Sequence, residues 1–229
     1  MRSIVDVRLL TWKVVRSLHQ DGLWATFRKC LEYLRDDSTT ANEFDLKYGT
    51  DTGGIEPLWK FKICSPNARF GASYQATQEN ELANALEFLR ENLKTFTFID
   101  LGCGKGRTLL VASNLGFRQV IGVEFVSQFV EIARTNLAKR RIANAVVLCA
   151  DAAEFRFPNS DTVVYLYNPF SQDVLSKVIV NLHESFSKQR IYVIYKVPRF
   201  AEVIDSSGFL RRFGCPPAAR NIQIWSVAK

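Results

Sequence analysis

The chain has 229 residues and carries 30 Lys and Arg against 23 Asp and Glu, a formal charge of +7. A hydrophobic fraction of 47% with 17 Phe, and a charged fraction of 23%, describe a globular chain with a sizeable core and exclude a disordered, fibrous or repeat protein. Five cysteines without C-x-x-C spacing and two distant histidines argue against a metal centre, and the lack of a run of about 18 uncharged apolar residues excludes a membrane-spanning helix.

The N-terminus lacks a continuous apolar h-region, so the expected compartment is the cytoplasm, with the cysteines reduced. Ile4, Val7, Leu10, Val14 and Leu18 recur at helical spacing. Asp21-Gly22 interrupts the pattern, and Leu23, Phe27, Leu31 and Leu34 resume it. This segment carries seven Lys/Arg against three Asp/Glu over residues 1–35. It reads as a helical pair packed on the main domain, with peripheral membrane or partner contact as the alternative. Residues 36–76 read as loops, with a short helix expected from the Thr40–Glu43 capping box. The organisation expected is therefore an N-terminal extension over 1–70 and one α/β domain over 71–229.

From Thr77, read as a helix N-cap, the pattern is regular. Glu79 and Glu81 suit the first turn of a helix, and Leu82, Leu86 and Leu89 form its apolar stripe. Strand Phe96–Leu101 ends in glycines. A helix over 106–116, strand Gln119–Glu124, helix Ser127–Lys139 and strand Ala145–Ala150 follow. Strand Thr162–Tyr167, helix Gln172–Phe186, strand Arg190–Lys196 and a short helix near 199–206 come next. Two last strands, near Phe209–Phe213 and Asn221–Val227, flank Gly214-Cys215-Pro216-Pro217 with no helix between them. Alternation of apolar strands with helices implies a mainly parallel sheet covered on both faces; the last pair adds one antiparallel strand.

Ligands of open α/β sheets bind beyond the carboxyl ends of the strands. The first strand ends in Asp100-Leu101-Gly102-Cys103-Gly104-Lys105-Gly106. Its glycines allow a tight turn and close approach of a ligand, and the next helix offers N-terminal amides. Glu124 ends the second strand and can accept from both hydroxyls of a ribose. Asp151 follows the third strand and can accept from an adenine amine; a helix N-cap is its plainer role. The same spacing occurs in nicotinamide enzymes, but their G-x-G-x-x-G/A fingerprint needs a small residue at position 107, where this chain has Arg107.

The runs Phe98–Arg107 and Val120-Ile121-Gly122-Val123-Glu124 resemble class I S-adenosylmethionine-dependent methyltransferases over about residues 74–229. Asp51-Thr52-Gly53-Gly54 and Tyr167-Asn168-Pro169-Phe170 look like segments of a bacterial, largely uncharacterised family of them. The glycine loop is similar to that of histone-lysine methyltransferases lacking a SET domain. The resemblance implies a Rossmann-like, seven-stranded sheet with S-adenosyl-L-methionine as cofactor. It puts Asp100, Gly102, Cys103, Gly104 and Gly106 near the methionine part, Glu124 on the ribose, and Asp151 with Ala152 by the adenine. It also implies that Tyr74-Gln75-Ala76-Thr77 closes over the amino-acid end.

Asn168-Pro169-Phe170 is similar to the Asn-Pro-Pro-Tyr/Phe motif of amino-group methyltransferases but lacks one Pro, so it does not specify adenine N6. Asn168 still offers a carbonyl to an N–H nucleophile and Phe170 a π face to a cation. Tyr165 and Tyr167 read as packing residues. Glu154 and Tyr195 could serve as a base, and nothing in the sequence singles them out. The expected activity is N-directed methyl transfer, with a protein lysine or another amine as acceptor. An O- or C-methyltransferase of a small molecule, and a non-catalytic cofactor- or nucleic-acid-binding module, are the alternatives.

Overall fold

The computed structural model describes residues 11, 14, 15, 18, 19, 22–24, 43–61, 63, 67, 71, 73–168, 170–219 and 221–227. Most of the two expected N-terminal helices lies outside the described residues, as does Thr40 of the expected capping box. The described residues between 11 and 24 are helical, and Leu18, Leu23 and Trp24 among them are exposed. Among the described residues no helix is long and apolar enough to cross a membrane.

Helix α1 (Glu43–Tyr48) is followed by a two-stranded antiparallel ladder of β1 (Ile55–Glu56) and β2 (Tyr74–Gln75). Helix α2 spans Glu79–Phe88. The main sheet is then built from β3 (Thr97–Leu101), β4 (Gln119–Glu124), β5 (Ala145–Cys149), β6 (Thr162–Tyr167), β7 (Ile191–Lys196), β8 (Leu210–Gly214) and β9 (Ile222–Val227). Helices α3 (Arg107–Asn114), α4 (Ser127–Lys139), α5 (Gln172–Ser185) and α6 (Ala201–Asp205) alternate with these strands.

The seven strands lie in the order β5-β4-β3-β6-β7-β9-β8. Strands β3 to β7 pair in parallel, and β9 runs antiparallel to both β7 and β8. The expected sheet, with one antiparallel strand, is the one observed. β3 and β6, separated in the chain by α3, β4, α4 and β5, are buried neighbours. Their strands are apolar almost throughout because both sheet faces are covered.

One face carries Phe98, Val120, Val163 and Ile194 against Leu82 and Leu86 of α2, Leu109 of α3 and Val130 of α4. The other carries Ile99, Val123, Val164 and Val193 against Leu175, Val178 and Leu182 of α5 and Ile204 of α6. This second layer thins at β5. Only a 3-10 turn, Ala152–Glu154, separates β5 from β6, and Val146 and Leu148 stay exposed.

One local expectation is corrected. Helix α2 is capped by Gln78 without a side-chain bond, so Thr77 is not its N-cap. Thr77 is buried, and its hydroxyl shares a 2.8 Å hydrogen bond with the Tyr165 hydroxyl. A partner reached across the sheet has displaced the local capping geometry.

Candidate functional site

Strand order reverses at β3, which has β4 on one side and β6 on the other, so a crevice opens beyond their carboxyl ends. The glycine loop fills its floor. Gly102, Gly104 and Gly106 all have positive φ, at 90°, 52° and 85°. A Cβ on Gly104 would sit 2.2 Å from the Tyr74 ring, and one on Gly106 would press on Ala133 of α4 at 3.0 Å. These glycines thus admit both a left-handed backbone and a close neighbour. The loop is held to β4 by bonds from the Gly102 and Cys103 N–H groups to the Val123 carbonyl, 2.8 and 3.1 Å. Cys103 itself turns inward: its Sγ lies where a Cβ on Gly122 would be, 2.7 Å away, and burial pushes its thiol pKa well up.

Three carboxylates stand at the ends of β3, β4 and β5. Asp100 accepts from the Thr108 hydroxyl and lines a small recess with Gln75, Ala76, Thr77, Gly102 and Tyr165. Glu124 accepts from the Gly104 and Val126 amides, each at 2.9 Å. Asp151 accepts from the Ala153 amide at 2.9 Å, capping the 3-10 turn, and from the Asn67 side-chain amide at 2.9 Å. Its plainer role as a cap is thus observed, and Asp151 also lines the main cavity with Glu124 and Ala152. Burial, together with the neighbouring Glu124 carboxylate, pushes Asp100 up to about 7, and burial pushes Glu124 up to about 7.

The main cavity continues past Tyr74 and Gly102 to Tyr167, Asn168, Phe170 and Val174. Asn168 has φ 40°, a conformation that Asn tolerates better than most residues, and its Oδ1 accepts a long 3.4 Å bond from the Tyr195 hydroxyl. Burial pushes Tyr195 up to about 12. Tyr165 is a core residue, as expected from its strand position. Tyr167 is not merely packing: it borders both cavities, donates to Gln75 Oε1 at 3.0 Å, and lies under Lys196 Nζ at 4.2 Å. Lys196 in turn is buried and paired with Glu81 of α2. Of the expected site residues, Tyr74, Gly102, Glu124, Asp151, Ala152, Asn168 and Phe170 line the main cavity and Thr77, Asp100 and Cys103 the adjoining recess, while Gly104 and Gly106 line neither.

A group of residues that sequence reasoning did not connect holds the loop from outside. Lys105 Nζ meets the Gly53 carbonyl at 3.0 Å, Asp51 at 3.3 Å and Glu56 at 3.6 Å. Arg107 Nε donates to the Thr52 hydroxyl at 2.8 Å, and its guanidinium lies 4.6 Å over the Phe44 ring. Asn136 of α4 bridges the Asp51 and Lys105 carbonyls at 2.8 and 3.0 Å. Asp51-Thr52-Gly53-Gly54 was the available signal, although its partners are 50 to 85 residues distant and leave no periodic trace.

Residues 98–188 match a family model described as a methyltransferase domain. A ribosomal protein L11 methyltransferase from Hamiltonella defensa is 31% identical over 103 residues, 44% of this chain and 32% of that protein. The chain thus spans about a third of the length of the curated relatives it matches. A dimethyladenosine transferase from Plasmodium falciparum superposes with TM-score 0.52 at 15% identity, covering 68% of this chain and 64% of that one. Mitomycin 7-O-methyltransferase superposes with TM-score 0.51 at 16% identity, over 66% and 54%. Residues 98–188 thus carry a methyltransferase domain, and S-adenosyl-L-methionine is the methyl donor that a class I domain of this kind implies. The crevice fits that donor: three carboxylates at neighbouring strand ends face a ligand offering an ammonium, a ribose diol and an adenine amine.

Proposed function

We propose that this chain transfers a methyl group from S-adenosylmethionine to nitrogen, with a protein lysine or another amine as acceptor. The observation that carries this reading is the Asn168 carbonyl oxygen. It lines the same cavity as Glu124 and Asp151, beside Phe170, at the end of β6. The curated relatives are named for a protein substrate, which supports a protein acceptor without deciding it.

The donor supplies an already activated methyl group on a sulfonium. Glu124 would accept from the ribose hydroxyls and Asp151 from the adenine amine, while Asp100 would lie toward the cationic methionine end. Gly102 and Gly104 let the backbone approach the ligand without a Cβ in the way. Asn168 Oδ1 would accept an N–H of a neutral amine and so orient that amine within the cavity. Tyr195 holds that oxygen, and the Phe170 ring packs against the acceptor and excludes water.

The test is labelled methyl transfer into a cell lysate, followed by separate protease and nuclease digestion. Label that is released by protease, or that resides in a small amine, is expected. Label released only by nuclease would replace this acceptor with a nucleic acid.

A further inference from the structure

Three positive-φ glycines make a loop of high intrinsic freedom, so its geometry depends on the contacts that hold it. The Thr52 side chain and backbone reach the loop at two places, its exit into α3 and, through Tyr74, its middle. Its N–H and hydroxyl donate to Asp45 Oδ1 at 2.9 and 2.6 Å. The same hydroxyl accepts from Arg107 Nε at 2.8 Å, and Arg107 is the first residue of α3, directly after Gly106. The Thr52 carbonyl accepts from the Tyr74 hydroxyl at 2.5 Å, and the Tyr74 ring lies against Gly104. Thr52 is fully buried, and Asp45 and Arg107 are nearly so. Hydrogen bonds to Thr50 and Thr52 and the nearby Arg107 hold the Asp45 carboxyl below the usual range despite its burial, so it stays ionised as an acceptor.

We propose that Thr52 is a positioning residue of the cofactor site, fixing the start of α3 through Arg107 and the ring over Gly104 through Tyr74. The proposal rests on the methyl-donor reading of the crevice. Thr52 touches no part of the ligand. It removes, before binding, freedom that the glycine loop would otherwise lose on binding, which is how preorganisation raises affinity. Threonine suits the position because one hydroxyl must donate to Asp45 and accept from Arg107 at once.

The test compares wild type, Thr52→Val and Thr52→Ser in the full chain, by calorimetric titration with S-adenosylhomocysteine and by thermal unfolding without ligand. Val keeps the shape and removes the hydroxyl; affinity should fall roughly tenfold, and Ser should restore most of it. If Val lowers the unfolding midpoint while the folded protein binds as tightly as wild type, Thr52 only stabilises the fold and the proposal is overturned. If Thr52→Val does not fold, Tyr74→Phe breaks the same link from the other side, and unchanged affinity in that variant is equally decisive against it. Absence of binding by the wild type itself would overturn the methyl-donor reading, and this proposal with it.

Discussion

At the ends of β3, β4 and β5 the carboxylates that face the crevice are anchored: Glu124 by two backbone amides, Asp151 by a backbone amide and Asn67, Asp100 by Thr108. At the end of β6 the lining is Tyr167, Asn168, Phe170 and Val174, and the Asn168 amide rests on a 3.4 Å contact with Tyr195. On the proposed reading, the first half meets a donor whose polar groups never change. The second presents rings and a single acceptor atom, surfaces that suit a range of partners. If the anchored half holds the donor and the other half meets the acceptor, as proposed, mutations in the two should have separable consequences.

The comparison can be broken most forcefully at Gly104. Gly104→Ala puts a Cβ into the Tyr74 ring at 2.2 Å and strains a backbone at φ 52°. Donor affinity should fall by more than about a hundredfold, the combined effect of overpacking and loss of loop geometry. Adding Tyr74→Ala to this variant should recover part of the loss, which calorimetry can follow; no recovery would mean that strain alone matters. On the acceptor side, Asn168→Ala should leave donor affinity near wild type and lower kcat on the order of 10²-fold, since its bond forms with the acceptor. Full turnover by the folded variant would reduce Asn168 to a turn residue and remove the main support for an amine.

Glu124→Ala should weaken donor binding about tenfold to a hundredfold, as expected for charge-assisted bonds to two hydroxyls. Because the carboxylate also accepts from the Gly104 and Val126 amides, the variant should unfold at lower temperature too, and Glu124→Gln should separate the two effects. Unchanged affinity in either folded variant would place the ribose elsewhere.

The smallest expected effect is on pH. Asp100 and Glu124 titrate near 7 in the folded chain but from 3.8 and 4.5 as ordinary carboxyls. Between those values the folded state holds protons that the unfolded chain has released. Ligand-free stability should therefore decline as pH rises through this window and be least above 7. A ligand that donates hydrogen bonds to both groups favours their ionised forms, so binding should release protons and tighten between pH 6 and 8. Calorimetry at pH 7 in two buffers of different ionisation enthalpy measures that release. A midpoint of unfolding that rises with pH, or proton uptake on binding, would show that these carboxyls are already ionised in the free protein.

Much of this architecture was readable beforehand. The strands from β3 to β9 and the helices between them follow local apolar periodicity, and the glycine loop and Glu124 are local too. Arg107 shows where local reading gives a right conclusion with an incomplete picture. The small residue needed against α4 is Gly106, on Ala133, which leaves position 107 free to reach outward to Thr52 and Asp45. The clamp made by Asp45, Thr52, Lys105 and Asn136 was not readable, because its bonds join residues 7 to 85 apart through unpatterned loops. Thr77 misled for the same reason: its buried partner, Tyr165, lies 88 residues away.

The placement of β9 between β7 and β8 bears on how the chain is made. A ribosome that has delivered residues through Gly214 has delivered β3 to β8, yet β8 has no strand beside it with which to pair. β5, β4, β3, β6 and β7 can close into a parallel sheet by then, while the flank of β7 stays open and apolar, with Trp225 and Ile224 still to arrive. The nascent chain therefore carries an exposed sheet edge until residues 222–227 clear the exit tunnel, and this is the interval in which it most needs shielding from aggregation.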